Sequence, residues 1–308
     1  MSSPSDTEAV APGKLAGRLC VLAAALMWSS SGLFVKQALF DGWPRECRGM
    51  LFAFWRAAFA AAVLLPMIRR PRASPLLAPL ALCFMLMNVT FLTSMARTTA
   101  ANAIWLQSTY PWWVLVFSVV LFGQPIARRE LVPLAFGAAG VGMILFCELV
   151  PSGAASAAAS APTRDALGVA CGAASGVCYA AVVVLMWRLS SHDPAWLVSL
   201  NHAVTALVLL PWVARLGYWP TPDQLVVLAA FGVFQMAIPY LLLIRGLRAI
   251  GSQEAAAIGL VEPVLLPVWV LLAGLETPKW WTIAGASLIL AGLVLRYGVL
   301  ELRRTLRR

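Results

Sequence analysis

Ten runs of about twenty predominantly apolar residues, the length at which a helix crosses a bilayer, succeed one another along this chain of 308 residues: 18–39, 49–68, 76–95, 101–122, 131–149, 165–187, 194–215, 224–246, 252–273 and 279–299. No other feature restricts the fold as far. Hydrocarbon offers no water to backbone N–H and C=O groups, so each run must close its hydrogen bonds internally, as a helix. The expected fold is an all-α integral membrane protein with ten transmembrane helices. Composition agrees, with 61% of residues hydrophobic and 12% charged, where a soluble domain carries about 25% charged. A net charge of +10 does not imply nucleic acid, because the basic residues fall in short groups between apolar runs and line no helix face. The first run follows the hydrophilic "MSSPSDTEAVAPGK" and exceeds a signal-peptide core of about 7–15 residues, so it is a retained span.

Orientation follows from Lys and Arg. With the N-terminus in the cytoplasm, 15 of them fall on that side and 6 on the other, two of the 23 lying inside spans. That bias puts both termini in the cytoplasm: a tail over 1–17 and a basic tail over 300–308, flanking five-span units at 18–149 and 165–299. The 150–164 connector between them is Ala/Ser-rich, which marks a flexible external link. Cys20, Cys47, Cys83, Cys147, Cys171 and Cys178 are scattered, with no CxxC pair and no His cluster. They read as core residues, with a Cys47–Cys147 disulfide as the alternative, and no metal or cofactor is expected.

The two units echo each other. "VLLP" recurs at 63–66 and 208–211, ending the second and seventh spans; Pro111 and Pro263 hold equivalent places in the fourth and ninth; Pro111 to Gly140 and Pro263 to Gly292 are both 29 residues apart; Gly17 and Gly168 stand at the starts of the first and sixth spans. Five spans is an odd number, so the second unit enters the membrane from the opposite side. Inverted-topology five-helix repeats with a mid-membrane site between them are an architecture of secondary transporters. A scaffold without a solute path, a channel, and an integral-membrane enzyme built on Arg56, Glu262 and His202 are the competing readings. No Walker-type phosphate loop, HExxH or GxSxG is present to support nucleotide or hydrolytic chemistry. The spacing of Gly168, Gly172 and Gly176 in "GVACGAASG" lets helix backbones approach closely, within the bundle or between the protomers of a homodimer.

The intramembrane Arg56 in "FWRAAFAAAVLLP", the run "GLVEPVLLPVWVLLAGLE" from Gly259 to Glu276, and "GASLILAG" from Gly285 to Gly292 together resemble the EamA-type members of the drug/metabolite transporter superfamily, across roughly residues 15–300. The first half departs from the second, with Gln124 where Glu276 stands and Tyr110-Pro111 where Glu262-Pro263 stands. The resemblance implies export or exchange of amino acids and other small metabolites across a bacterial cytoplasmic membrane.

Several residues are candidates for meeting a solute. Arg56 lies about seven residues into the second span, where an ionisable group usually faces the bundle interior or a watery cavity. It is read either as a bidentate anchor for an anionic group or as an internally paired packing residue. Glu262 precedes Pro263, which cannot donate to the carbonyl of Gly259, and Pro267 repeats that break one turn on, with Pro111 the corresponding helix break in the first half; such interruptions suit backbone that lines a cavity. Glu262 is read as a proton carrier, a partner of Arg56, or a structural acid at a kink. His202 and Asn201 in the seventh span, Gln235 in the eighth and Asn88 in the third are polar groups near mid-depth, binding solute or joining helices. Trp28, Trp105, Tyr110 and Tyr179 lie within spans and suit an aromatic cavity wall or core packing, whereas Trp187, Trp219, Trp280 and Trp281 suit an interfacial belt.

Overall fold

A computed structural model of the chain describes residues 13–122, 131–149, 165–189, 191–247, 249–250, 255, 258–259 and 261–295. The first twelve residues, Gln124, the 150–164 connector, the Trp187 side chain and the 300–308 tail lie outside the described residues. Among those described there are helices and no strands, as an apolar chain with internally closed backbone requires.

The first span is α1 (Lys14–Ser29) followed by the short α2 (Ser31–Val35). Next come α3 (Arg45–Leu64) and α4 (Leu77–Arg97), then α5 (Ala100–Gln107) and α6 (Tyr110–Phe122), then α7 (Leu131–Leu149). The second half contains α8 (Ala166–Arg188), α9 (Pro194–Leu216), α10 (Pro222–Gly232) running through a π turn at Val233–Ala237 into α11 (Ile238–Leu247), α12 (Val261–Leu272) and α13 (Trp280–Val294). Six segments are long and apolar enough to cross a membrane: Lys14–Val35, Arg45–Met67, Leu77–Arg97, Ala166–Met186, Pro194–Leu216 and Pro222–Gly246. Leu131–Cys147, Val261–Leu272 and Trp280–Val294 are shorter apolar helices. The fourth run is divided between α5 and α6, with Ser108 and Thr109 as the joint.

Local sequence accounts for the interruptions. Pro111 has no N–H to give Gln107 C=O, so the α5 ladder stops there and the proline falls in the first turn of α6, where its missing donor does no harm. Pro239 likewise cannot donate to Gln235 C=O, and the turn ahead of it widens to π geometry. "VLLP" behaves differently in its two copies. Pro66 ends α3 in a 3-10 turn over Leu65–Met67. Pro211 sits inside α9, which runs on to Leu216 and stops only at Gly217, in the left-handed region at φ 70. One lost donation to Leu207 C=O is too small a defect to end a helix in apolar surroundings, so only the first copy closes its span.

The two halves interlock. α4 lies along α8, α3 against α9, α7 against α13, and α1 against α11 and α12. Small residues permit these approaches: a Cβ on Gly172 would stand 2.8 Å from both Ser94 Oγ and Leu106 Cδ1, and one on Gly140 would stand 2.5 Å from Gly285 O. The 168–176 glycines therefore pack inside the bundle, against α4, α5 and the α5–α6 joint. Gly17 meets the end of the eighth span at Ala249 and Gly246, as Gly168 meets the end of the third at Arg97 and Thr98. All six cysteines are free thiols, so Cys47 and Cys147 form no disulfide. Trp219 and Trp280 are 57% and 65% exposed, as belt residues should be.

Candidate functional site

At the centre of the bundle α3 carries Arg56, with 4% of its surface exposed. Gly232 admits this contact between helices, because a Cβ there would meet Arg56 O at 2.8 Å. The guanidinium donates through Nη2 to Asn88 Oδ1 on α4, and its carbon lies 4.9 Å from the centre of the Phe231 ring. Asn88 is itself oriented, since Nδ2 donates to Phe84 O at 2.8 Å. An arginine buried this way is held by an oriented amide and an aromatic face, with Glu262 near enough to act on its charge but in no direct ion pair with it.

A cavity of about 50 Å³ opens beside it. Of the residues expected to meet a solute, Trp28, Arg56, Asn88, Tyr179, Gln235 and Glu262 line it together. Arg56 comes from the first half and Glu262 from the second. No ion pair joins them, and Glu262 takes no hydrogen bond among the described residues. Pro263 stands in the first turn of α12 and Pro267 within it. Trp105 is buried in the core. Tyr110 packs against Tyr179 with ring centres 4.4 Å apart. Neither lines the cavity.

Asn201 and His202 are fully buried one layer behind. The imidazole meets Phe84 edge-on at 4.9 Å and lies 6.2 Å from Tyr240, and both polar atoms of each side chain lack a partner. Tyr240 separates this layer from the cavity, which it lines. Sequence reasoning missed Tyr240, along with Ser31, Gln107, Met87, Phe91 and Met236. Two of these carried a signal. Tyr240 follows Pro239, and Gln107 supplies the carbonyl that Pro111 leaves unmatched.

Gln235 does more than line the cavity. Its Nε2 donates to Met27 O, to Trp28 O at 3.0 Å and to Ser30 Oγ at 3.0 Å, covering carbonyls near the joint between α1 and α2. Trp269 Nε1 donates to Ser29 Oγ at 2.8 Å at the same joint. At the end of the bundle opposite the N-terminus, Lys36 Nζ reaches Glu276 Oε1 at 2.5 Å and Thr98 O at 2.6 Å. Glu276 Oε2 accepts from Ala100 N, the first residue of α5, at 2.7 Å. One ion pair thus ties the ends of α2, α5 and α12, which come from both halves.

An interlocked helical bundle with a charged, aromatic-lined cavity shared by its halves defines the class: a multi-pass membrane protein. Two segments, residues 15–146 and 166–298, match the EamA-like transporter family, and the chain belongs to that family. It is 25% identical over 296 residues to an uncharacterized transporter of Archaeoglobus fulgidus, covering 91% of this chain and 96% of the relative. A crystal structure of a protein 17% identical to this one has the same fold, with a TM-score of 0.64 over 94% of this chain and 99% of the other. The family and this relative point to a membrane transporter and away from enzymatic chemistry.

Proposed function

We propose that the protein is a secondary transporter that exports or exchanges small organic metabolites such as amino acids, by alternating access at the central cavity between two inverted five-span repeats. The observation that carries this reading is the cavity itself, where Arg56 from one half and Glu262 from the other face a common space with aromatic walls. A solute bearing an anionic group would meet the arginine fork, and Glu262, Tyr179 and Tyr240 would meet its other polar atoms. A cavity of about 50 Å³ has room for a few waters, whereas small-molecule pockets occupy about 300–1,000 Å³. Loading therefore requires helix ends to part, and the Lys36–Glu276 pair is the contact that must break at one of them. Support for inverted repeats comes from the pairing of α4 with α8 against α11 with α1, and from the matching positions of Gly17 and Gly168. We assign it to a cytoplasmic membrane with both termini inside, an orientation that the excess of Lys and Arg on that side supports.

The test is counterflow of labelled amino acids and related metabolites in proteoliposomes. Saturable exchange of one solute, lost in Arg56→Ala and changed in its pH dependence by Glu262→Gln in folded protein, is the expected result. A fixed conductance without exchange, or exchange untouched by both substitutions, would overturn the reading.

A further inference from the structure

We propose that the stretch Arg69–Arg72, just beyond α3, is a docking site for anionic phospholipid headgroups. Arg69, Arg70 and Arg72 are exposed and form no ion pair among the described residues. An acid does stand beside them. Asp193, however, gives its oxygens to backbone: Oδ2 accepts from Arg69 N and from Arg70 N, at 3.0 Å each, and Oδ1 accepts from Ala195 N at 3.0 Å as the cap of α9. Further along, Trp196 Nε1 donates to Arg72 O at 2.9 Å, and Pro71 fixes φ between the second and third arginines. The peptide groups are therefore fastened at both ends of the stretch while the guanidiniums stay outward and uncompensated.

Their depth selects the partner. Leu65 and Met67, 49% and 43% exposed, immediately precede them and mark the edge of the apolar layer, so the three guanidiniums follow at headgroup level. A guanidinium fork matches the oxygens of a phosphodiester, and a basic cluster at that level is drawn to anionic lipid. Free phosphate shares the chemistry. It lacks the acyl chains that would hold it against Leu65 and Met67, so the lipid is the occupant assigned here.

Native mass spectrometry of the full-length protein in neutral detergent, titrated with phosphatidylglycerol or phosphatidylcholine, tests this directly. Wild type should retain phosphatidylglycerol in preference, with a loss of about fivefold in affinity for each arginine changed to glutamine. The triple variant Arg69→Gln/Arg70→Gln/Arg72→Gln should bind both lipids alike, and the corresponding triple lysine variant should keep most of the preference. Single glutamine variants give the same reading should the triple fail to fold. Equal retention of the two lipids by wild type, a preference unchanged in the glutamine variants, or displacement of the lipid by millimolar inorganic phosphate would each overturn the proposal.

Discussion

Asn201 and His202 occupy fully buried sites with both polar atoms of each side chain unpartnered, a disposition that usually costs about 1–3 kcal/mol per group. Leucine at 201 is close in shape and removes two such atoms. Asn201→Leu should therefore raise the stability of the purified protein by about 1 kcal/mol, read as a higher midpoint of thermal unfolding. A lower midpoint would mean that water or a bound solute satisfies the amide. Arg56→Lys is the opposite case: the ammonium keeps the charge and loses the planar fork and the face over Phe231, so exchange should fall at least about tenfold with the fold intact. Side-chain chemistry made part of this site legible. Six residues expected from their polarity or aromaticity at mid-depth do gather at one cavity, because such groups have nowhere else to go in hydrocarbon. Trp105 and His202 were equally conspicuous in the sequence and sit elsewhere, since helix rotation decides which face a residue occupies and an apolar run without amphipathic periodicity does not encode it.

Helix ends carry the next level of control. Glu276→Gln removes the carboxylate that holds both Lys36 and Ala100 N, so the ends of α2, α5 and α12 should separate more readily. In a cysteine-free background, labelling of Ser31→Cys by a membrane-impermeant thiol reagent should then speed up several-fold, and the exchanged pair Lys36→Glu/Glu276→Lys should restore part of the slow rate. At the opposite end, burial works against ionisation of Asp193, yet the backbone N–H groups of Arg69, Arg70, Ala195 and Trp196 outweigh it and hold its carboxyl below the ordinary value. A group depressed in the folded state contributes stability above its unfolded pKa and loses it as pH falls through its folded pKa. Asp193→Asn should therefore lower the unfolding midpoint at pH 7, and the gap from wild type should close as the solution is acidified below the carboxylate range. The sequence made Pro111 legible as a break because a missing N–H has a local consequence. It did not reveal the joint at Ser30, where no proline stands and the interruption is stabilised from the eighth span by Gln235.

Across the whole molecule, the most extensive helix pairings join the first half to the second: α4 with α8, α3 with α9, α7 with α13 and α1 with α11. Neither half can complete its core alone. Chains covering 1–149 and 165–308, expressed as separate polypeptides, should assemble into a purifiable complex that exchanges solute, while each alone should be degraded or aggregate. Independent folding of one half, seen as a monodisperse, protease-resistant product, would contradict this. The repeated motifs suggested two units, whereas the interlocking of the helices was not legible, because contacts between distant helices leave no periodic trace in the chain. The π turn at Val233–Ala237 bears on how such a bundle can be altered. It accommodates one residue more than an α turn, as a link added to a chain does. Deleting Phe234, which is 54% exposed, would return the segment to α geometry and leave what lies beyond it in place, because the wide turn already absorbs the extra residue. Tyr240 would keep its place on the cavity wall and Gly246 its seat against Gly17, whereas the same deletion from a regular stretch of the helix would turn both by about 100°; this one turn is where the span can lose a residue without moving either the centre or the rim.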